Sequence, residues 1–309
     1  MDPLLIVNPS AASGRAGRTF AQVLAVIERR LGSLDVAVTE RPGHATSLAY
    51  AGALDGRSLI IAVGGDGTLH EVANGVLDGG GRAALGYVGQ GTGGDFRRTL
   101  DIPHRLDAYV EALASGRERA VDVGRATFRG PDGATRVRWF VNILSMGMGG
   151  LVDRYVATTT KAFGSKAAYF WASTRALASV RRARLHCTVS LGDGREDRQL
   201  DAFVLGVCNG GYFGGGMRLA PMAEPDDGLF DVVVMNAPSK LAFAAYSSRI
   251  YGGRHMSARG VSHFRCDRIK VELQDESLSD AFLLDVDGEP LGALPVEIEL
   301  VPRALRVLV

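Results

Sequence analysis

Within residues 3–90, four apolar runs alternate with segments of helical spacing, and no other feature constrains the fold so strongly. PLLIVN reads as a buried strand, and Phe20, Val23, Leu24 and Ile27 then recur at the spacing of one helix face. LDVAVTE is a second strand, followed by Ala45, Leu48, Ala49 and Ala53 at helical spacing. SLIIAV leads into TLHEVANGVL, which DGGG ends, and AALGYVG is the fourth run. Apolar strands separated by helices pair in parallel, with helices covering both faces of the sheet.

Past about residue 120 the texture changes. RVRWFVNIL, RLHCTVSL, QLDAFVLGVCN, LFDVVVMN, RIKVEL, AFLLDVD, PVEIELVP and ALRVLV are short strand candidates separated by Gly, Asp and Pro turns. That punctuation belongs to a sandwich or barrel. One stretch, 153–183, interrupts it, with Phe163, Ala167, Phe170, Trp171, Thr174 and Leu177 on one side. The sequence therefore predicts an α/β N-terminal domain over residues 1–122 and a mostly antiparallel β-sandwich over 123–309. A cleft lies between them, and the last strand is free to pack back on the first domain.

Hydrophobic residues make up 46% of the 309, enough to bury a real core. Net charge is +1, which gives no support to nucleic-acid binding. The three cysteines form no CxxC pair, disfavouring a zinc site or disulfide framework and suiting a reducing cytoplasm. MDPLLIVNPS lacks the basic start of a signal peptide, and no apolar run has the length of a membrane span. A lipid partner would have to be met at the membrane surface.

Glycine is the outlier, at 40 residues, and it clusters in turns beside apolar runs. Gly64, Gly65, Asp66, Gly67 and Thr68 follow the third strand and lead into a helix. Bare glycines let main-chain N–H groups approach a ligand, and a helix start welcomes phosphate. Asp66 would repel that phosphate unless Mg²⁺ lay between them. The alternative is that Asp66 caps the helix beginning near Thr68. A second turn, GQGTGGDFRRTL, repeats the theme with Thr92 and Asp95, and two such turns at adjacent strand ends would frame one phosphate site.

NPSAASGRAGR, VGGDGTLHEVANGV, GTGGDFRRTL, PDDGLFDVVV and DVDGEPL fall in the order seen in the diacylglycerol kinase catalytic-domain family, and the chain resembles its bacterial soluble lipid kinases. The resemblance implies a Rossmann-like first domain similar to phosphofructokinases and NAD kinases. It implies ATP held by Asn8, Thr39, Gly64, Gly65, Asp66, Gly67, Thr68 and Thr92. Asp66, Asp95 and Asp122 would hold catalytic Mg²⁺ through water. Asp227, with the carbonyls of Glu224 and Leu229, would form a structural site for Mg²⁺ or Ca²⁺. Asp287 would be the base that takes a hydroxyl proton, with Glu289 as alternative or partner. The plain reading of Asp287-Gly288 is a hairpin turn, and both can hold.

Two departures stand out: Gly94 where the family usually has Asn, and His70 where Asn is common. His70 is expected to be an ordinary first-turn helix residue. The expected activity is phosphorylation of a lipid hydroxyl, diacylglycerol first, in the cytoplasm and transiently at the inner face of the membrane. An NAD kinase-like enzyme and a non-catalytic nucleotide-binding regulator are the other readings. The resemblance also suggests a homodimer. Two features suggest the acceptor side: the basic stretch 153–183, with Lys161, Lys166, Arg175, Arg181 and Arg182, and the loop carrying Tyr212, Phe213 and Met217. Each also reads as ordinary packing.

Overall fold

The four expected strands and the three helices between them are present in the computed structural model, which describes residues 2–11, 14–91, 93–130, 132–148, 150–151, 155, 175–176 and 179–309. They are β1 (Leu4–Val7), α1 (Arg15–Leu31), β2 (Asp35–Val38), α2 (His44–Leu54), β3 (Leu59–Gly64), α3 (Asp66–Asp78) and β4 (Ala84–Gly89). The strands lie in the order β2-β1-β3-β4, all parallel, with Leu5 beside both Val36 and Ile61. Leu5, Ile6, Ile60, Ile61 and Val88 are buried in the core that the helices cover. Short α4 (Asp95–Thr99) and α5 (Leu106–Ser115) then lead to the long β5 (Glu118–Arg129).

The remainder is antiparallel, as the turn-rich sequence predicted. A six-stranded sheet runs β12 (Val261–Cys266), β11 (Phe230–Met235), β10 (Val204–Cys208), β7 (Ile143–Gly147), β14 (Leu283–Val286) and β15 (Glu289–Ala293). Facing it are β6 (Thr135–Phe140), β8 (Ala183–Leu191), β9 (Gly194–Ala202), β13 (Arg268–Leu273) and β16 (Val296–Leu308) with β5. Phe140, Leu144, Leu185, Phe230, Ile269 and Ile298 fill the space between the two layers. All three cysteines are free and buried.

β16 joins the two halves. Its first part pairs with β13, and Val307 pairs with Leu85 of β4 in parallel. Throughout it runs antiparallel to β5, with a register shift between Val301 and Leu305. The sequence suggested two strands here, split at Pro302. The structure makes them one strand with a bulge, in which Arg303 adopts φ 49°.

Three further elements differ from expectation or escape it. RVRWFVNIL is broken into β6 and β7, because the N–H groups of Val141, Asn142 and Ile143 turn to a carboxylate instead of a strand partner. A helix absent from the sequence reading, α6 (Lys240–Ile250), starts with the Ser239 hydroxyl accepting from the Ala242 N–H. Most of the expected helix over 153–183 lies outside the described residues. Of its cations, Arg175 stacks on Tyr155 and Arg182 on Phe203. Among the described residues no helix is long and apolar enough to cross a membrane.

Candidate active site

The carboxyl ends of the parallel strands gather the residues expected to hold a nucleotide. Asn8, just past β1, donates from Nδ2 to Thr68 Oγ1 at 3.1 Å. Thr39 follows β2, its N–H bonded to Val7 O. Gly64 ends β3, and a Cβ there would lie 2.3 Å from Thr68 Oγ1. Gly65 precedes α3 in extended conformation, and Gly67 is exposed in its first turn. A Cβ on Gly91 would approach Gly65 Cα at 3.0 Å, so the two turns do meet face to face. Thr92 lies outside the described residues.

Asp66 does not cap its own helix, whose start has no side-chain hydrogen bond. Its oxygens instead accept the N–H groups of Gly94 (2.6 Å) and Asp95 (2.9 Å), so it organises the second turn. Gly94 is left-handed there, φ 71°, a conformation that suits glycine. Asp95 is 8% exposed and accepts from Arg98 at 3.0 Å and from the Gly215 N–H at 2.7 Å. Burial first, and the charge of Asp66 in addition, push its carboxyl up to about 6.

Among the described residues Asp122 shares no hydrogen bond with these two carboxylates. It is buried on β5, outside the lining of the central cavity, where it accepts from the N–H groups of Gly228 (2.8 Å) and Arg303 (2.7 Å). It thus ties the β16 bulge to the loop of Glu224, Asp227 and Leu229. In that loop Asp227 accepts from the Leu229 N–H and lies 3.3 Å from Arg265. Its carboxyl is pushed up, by burial first, with Asp231 and Glu224 adding to the effect. Asp231, which the sequence reading missed, is fully buried, and its Oδ2 has no hydrogen-bond partner among the described residues. Such an orphaned oxygen near Asp227 fits one hard cation completed by main-chain carbonyls.

Asp287 and Gly288 form the turn between β14 and β15, with φ 50° and 91°. The turn carries the Asp287 carboxylate over the break between β6 and β7. Oδ2 accepts from Val141 N–H (2.9 Å), and Oδ1 from Asn142 (3.1 Å) and Ile143 (2.9 Å). His70 Nδ1 lies 3.2 Å from Oδ2, and Nε2 lies 3.5 Å from Glu289. His70 is therefore more than a helix residue: it is 2% exposed and joins the two expected carboxylates. Asn74 fixes the same helix to β6, accepting from Trp139 N–H and donating to Trp139 O. The helical spacing of His70 and Asn74 was legible, but the carboxylates that His70 meets lie more than two hundred residues away.

A cavity of about 670 Å³ connects these parts. Gly65, Asp66, His70, Gly93 and Asp95 line one end. Met148, Val204, Phe213, Met217, Phe243, Ile250 and Tyr251 make the other end apolar, with Asp285, Asp287 and the buried Ser145 hydroxyl, which has no hydrogen-bond partner among the described residues, also in the lining. Tyr212 points its carbonyl to Asn142 instead of lining the cavity. Among the described residues no group of three His, Cys, Asp or Glu forms a metal cage. Asp66 and Asp95 fit a Mg²⁺ that arrives on phosphates and keeps its waters.

Glycine-rich turns opening on an apolar chamber suit a kinase whose acceptor is a lipid. Residues 2–126 match the family model of the diacylglycerol kinase catalytic domain, and residues 142–309 match that of the YegS C-terminal NAD kinase beta sandwich-like domain. The chain belongs to this lipid-kinase family. It is 28% identical to a diacylglycerol kinase of Bacillus subtilis over 98% of its own length and 95% of the relative's. It is 29% identical to a Pseudomonas aeruginosa protein named "Probable lipid kinase YegS-like", over 95% and 90% of the two chains. The fold matches a crystal structure of a diacylglycerol kinase from Bacillus anthracis with a TM-score of 0.73, at 24% identity and 99% and 96% coverage.

Proposed function

We propose that the protein transfers the γ-phosphoryl group of ATP, with Mg²⁺, to the hydroxyl of a lipid, diacylglycerol being the first candidate. The observation that carries this is a cavity lined both by Asp66 and Asp95 and by a group of apolar side chains. A soluble acceptor such as NAD⁺ would have no use for that lining. On this reading residues 1–122 hold the nucleotide and 123–309 the lipid, and the enzyme works at the inner face of the membrane.

The N–H groups of the Gly64–Gly67 turn and the start of α3 receive the phosphates. Asp66 and Asp95 would hold Mg²⁺, which would supply neutralisation of the charge that develops on the leaving oxygen. Asp287 takes the proton of the lipid hydroxyl as its oxygen bonds to phosphorus and ADP departs. Three main-chain N–H groups hold that carboxylate in place, so positioning is built in before substrate arrives. Glu289 stands behind it, one imidazole away.

The test is transfer of radiolabelled phosphate from ATP to a panel of lipids in mixed micelles, beside Asp66→Ala. Labelling of one lipid, lost by orders of magnitude in the variant, supports the reading. Labelling of NAD⁺ instead, or ATP binding without turnover on any lipid, would sink it.

A further inference from the structure

Successive side chains of β7 and β14 turn to opposite faces of their sheet. Leu144, Met146, Leu284 and Val286 enter the sandwich core, while Ile143, Ser145, Asp285 and Asp287 line the cavity. Ser145 is 1% exposed and Asp285 5%, at positions where a buried strand ordinarily carries an apolar residue. The lining they share includes Met148, Val204, Met235 and Phe243. Polar side chains kept in such company are costly unless something pairs with them.

Ser145 lies directly opposite Asp285 on β14, and on its other side it faces Gly206 of β10, which has no side chain to offer. Residues so placed have their Cβ atoms about 5 Å apart. Even so, the Ser145 hydroxyl makes no hydrogen bond among the described residues. A ligand group seated at the pair would relieve that, and the carboxylate decides which group it is. Asp285 has an interaction of its own, but a carboxylate has about four acceptor positions and takes more than one donor. An ester or ether oxygen beside it meets only negative charge. An ammonium has no lone pair for the serine hydrogen. A hydroxyl answers both, giving its hydrogen to Asp285 and a lone pair to Ser145. Asp287, the base in the proposed reaction, is two residues further along and no more than about 7 Å away by Cα. The group bound at Asp285 therefore belongs to a carbon close to the hydroxyl that is phosphorylated.

We infer that Ser145 and Asp285 select an acceptor lipid with a second free hydroxyl beside the one that takes the phosphoryl group. This rests on the lipid-kinase reading. It moves the preferred acceptor from diacylglycerol, which presents an ester at that place, to a lipid such as a monoacylglycerol.

Monooctanoylglycerol and its methyl ether at the middle hydroxyl test this, because they differ in one hydrogen-bond donor. Wild-type kcat/KM should favour the free hydroxyl at least ~10-fold, since the ether leaves buried polar groups unpaired. Ser145→Ala should lower that ratio several-fold. Asp285→Asn, whose amide has a hydrogen to give to an ether oxygen, should bring it to about one or below. A purely structural role would slow both lipids alike and leave the ratio where it was. Titration calorimetry of the same lipids, below their micelle concentration, reads the preference without turnover. Equal rates and affinities for the two lipids in wild type would overturn the proposal, as would variants with an unchanged ratio. If wild type binds the free hydroxyl preferentially yet transfers phosphate to no lipid, the subsite stands and the kinase reading falls.

Discussion

Three main-chain N–H groups and His70 all face the two oxygens of Asp287, the base in the proposed reaction. Asp287→Asn would turn an NH₂ group toward one of those donors and remove the proton acceptor. Its kcat should fall about 10²–10⁴-fold, the usual worth of a placed base, with melting showing that the fold survives. An unchanged kcat would remove Asp287 from the base role. Asp95 makes a separate prediction about pH. Unfolded, it ionises near the ordinary 3.8; folded, it stays neutral until pH passes about 6. The stability tied to its neutral form is therefore fully present below the lower value and is lost as pH rises through the upper one. The loss reaches about 3 kcal/mol. Asp95→Asn, always neutral, should flatten that decline when urea midpoints at pH 5 and pH 8 are compared. Parallel wild-type and variant profiles would contradict it.

At the scale of elements, α3 is placed by what its glycine lacks. A Cβ on Gly75 would lie 2.3 Å from Thr46 O and 2.7 Å from Ala49 Cβ, so α2 and α3 touch backbone to backbone. Alanine gains about 1 kcal/mol of helix propensity over glycine. Overpacking against a backbone oxygen costs about 1–3 kcal/mol or more. Sterics win, and Gly75→Ala should lower stability by about 2 kcal/mol in urea melts and displace His70 with the helix. A neutral or stabilising result would mean that the helix contact is looser. The sequence periodicity located α3 and its motif well, but could not tell this glycine from a merely tolerated one. α6 was missed for another reason. Ser239 as cap and Phe243, Tyr246 and Ile250 at helical spacing are all readable, but the segment is short and flanked on both sides by strands and turns, a context that favours strand over helix.

The whole molecule depends on its last strand. β16 contributes Val296 and Ile298 to the sandwich core, and Leu305, Val307 and Leu308 to the α/β core. Without it, β4 becomes an unpaired edge and the first core opens. A chain ending at residue 302 keeps Val296 and Ile298 and loses Leu305, Val307 and Leu308, so it should be protease-sensitive in its first half, and residues 1–126 alone should not fold stably. Limited proteolysis of the two truncations checks this, and a resistant 1–126 fragment would refute it.

The sequence alone determined the local facts: parallel strands from their apolar runs, phosphate turns from their glycines, and a hairpin at Asp287-Gly288. These follow from backbone preferences that act over a few residues. What Asp66, Asp122 and His70 do was decided only in three dimensions. Asp66 looked free to cap its own helix, yet the closeness of the second turn gives it the Gly94 and Asp95 N–H groups. Asp122 looked like a partner of Asp66, but β5 carries it to the β16 bulge and the 224–229 loop. His70 meets Asp287 only because β14 and β15 bring their turn back against α3. A carboxylate's role is set by which donors and charges surround it, and those come from segments whose distance along the chain carries no trace of their distance in space.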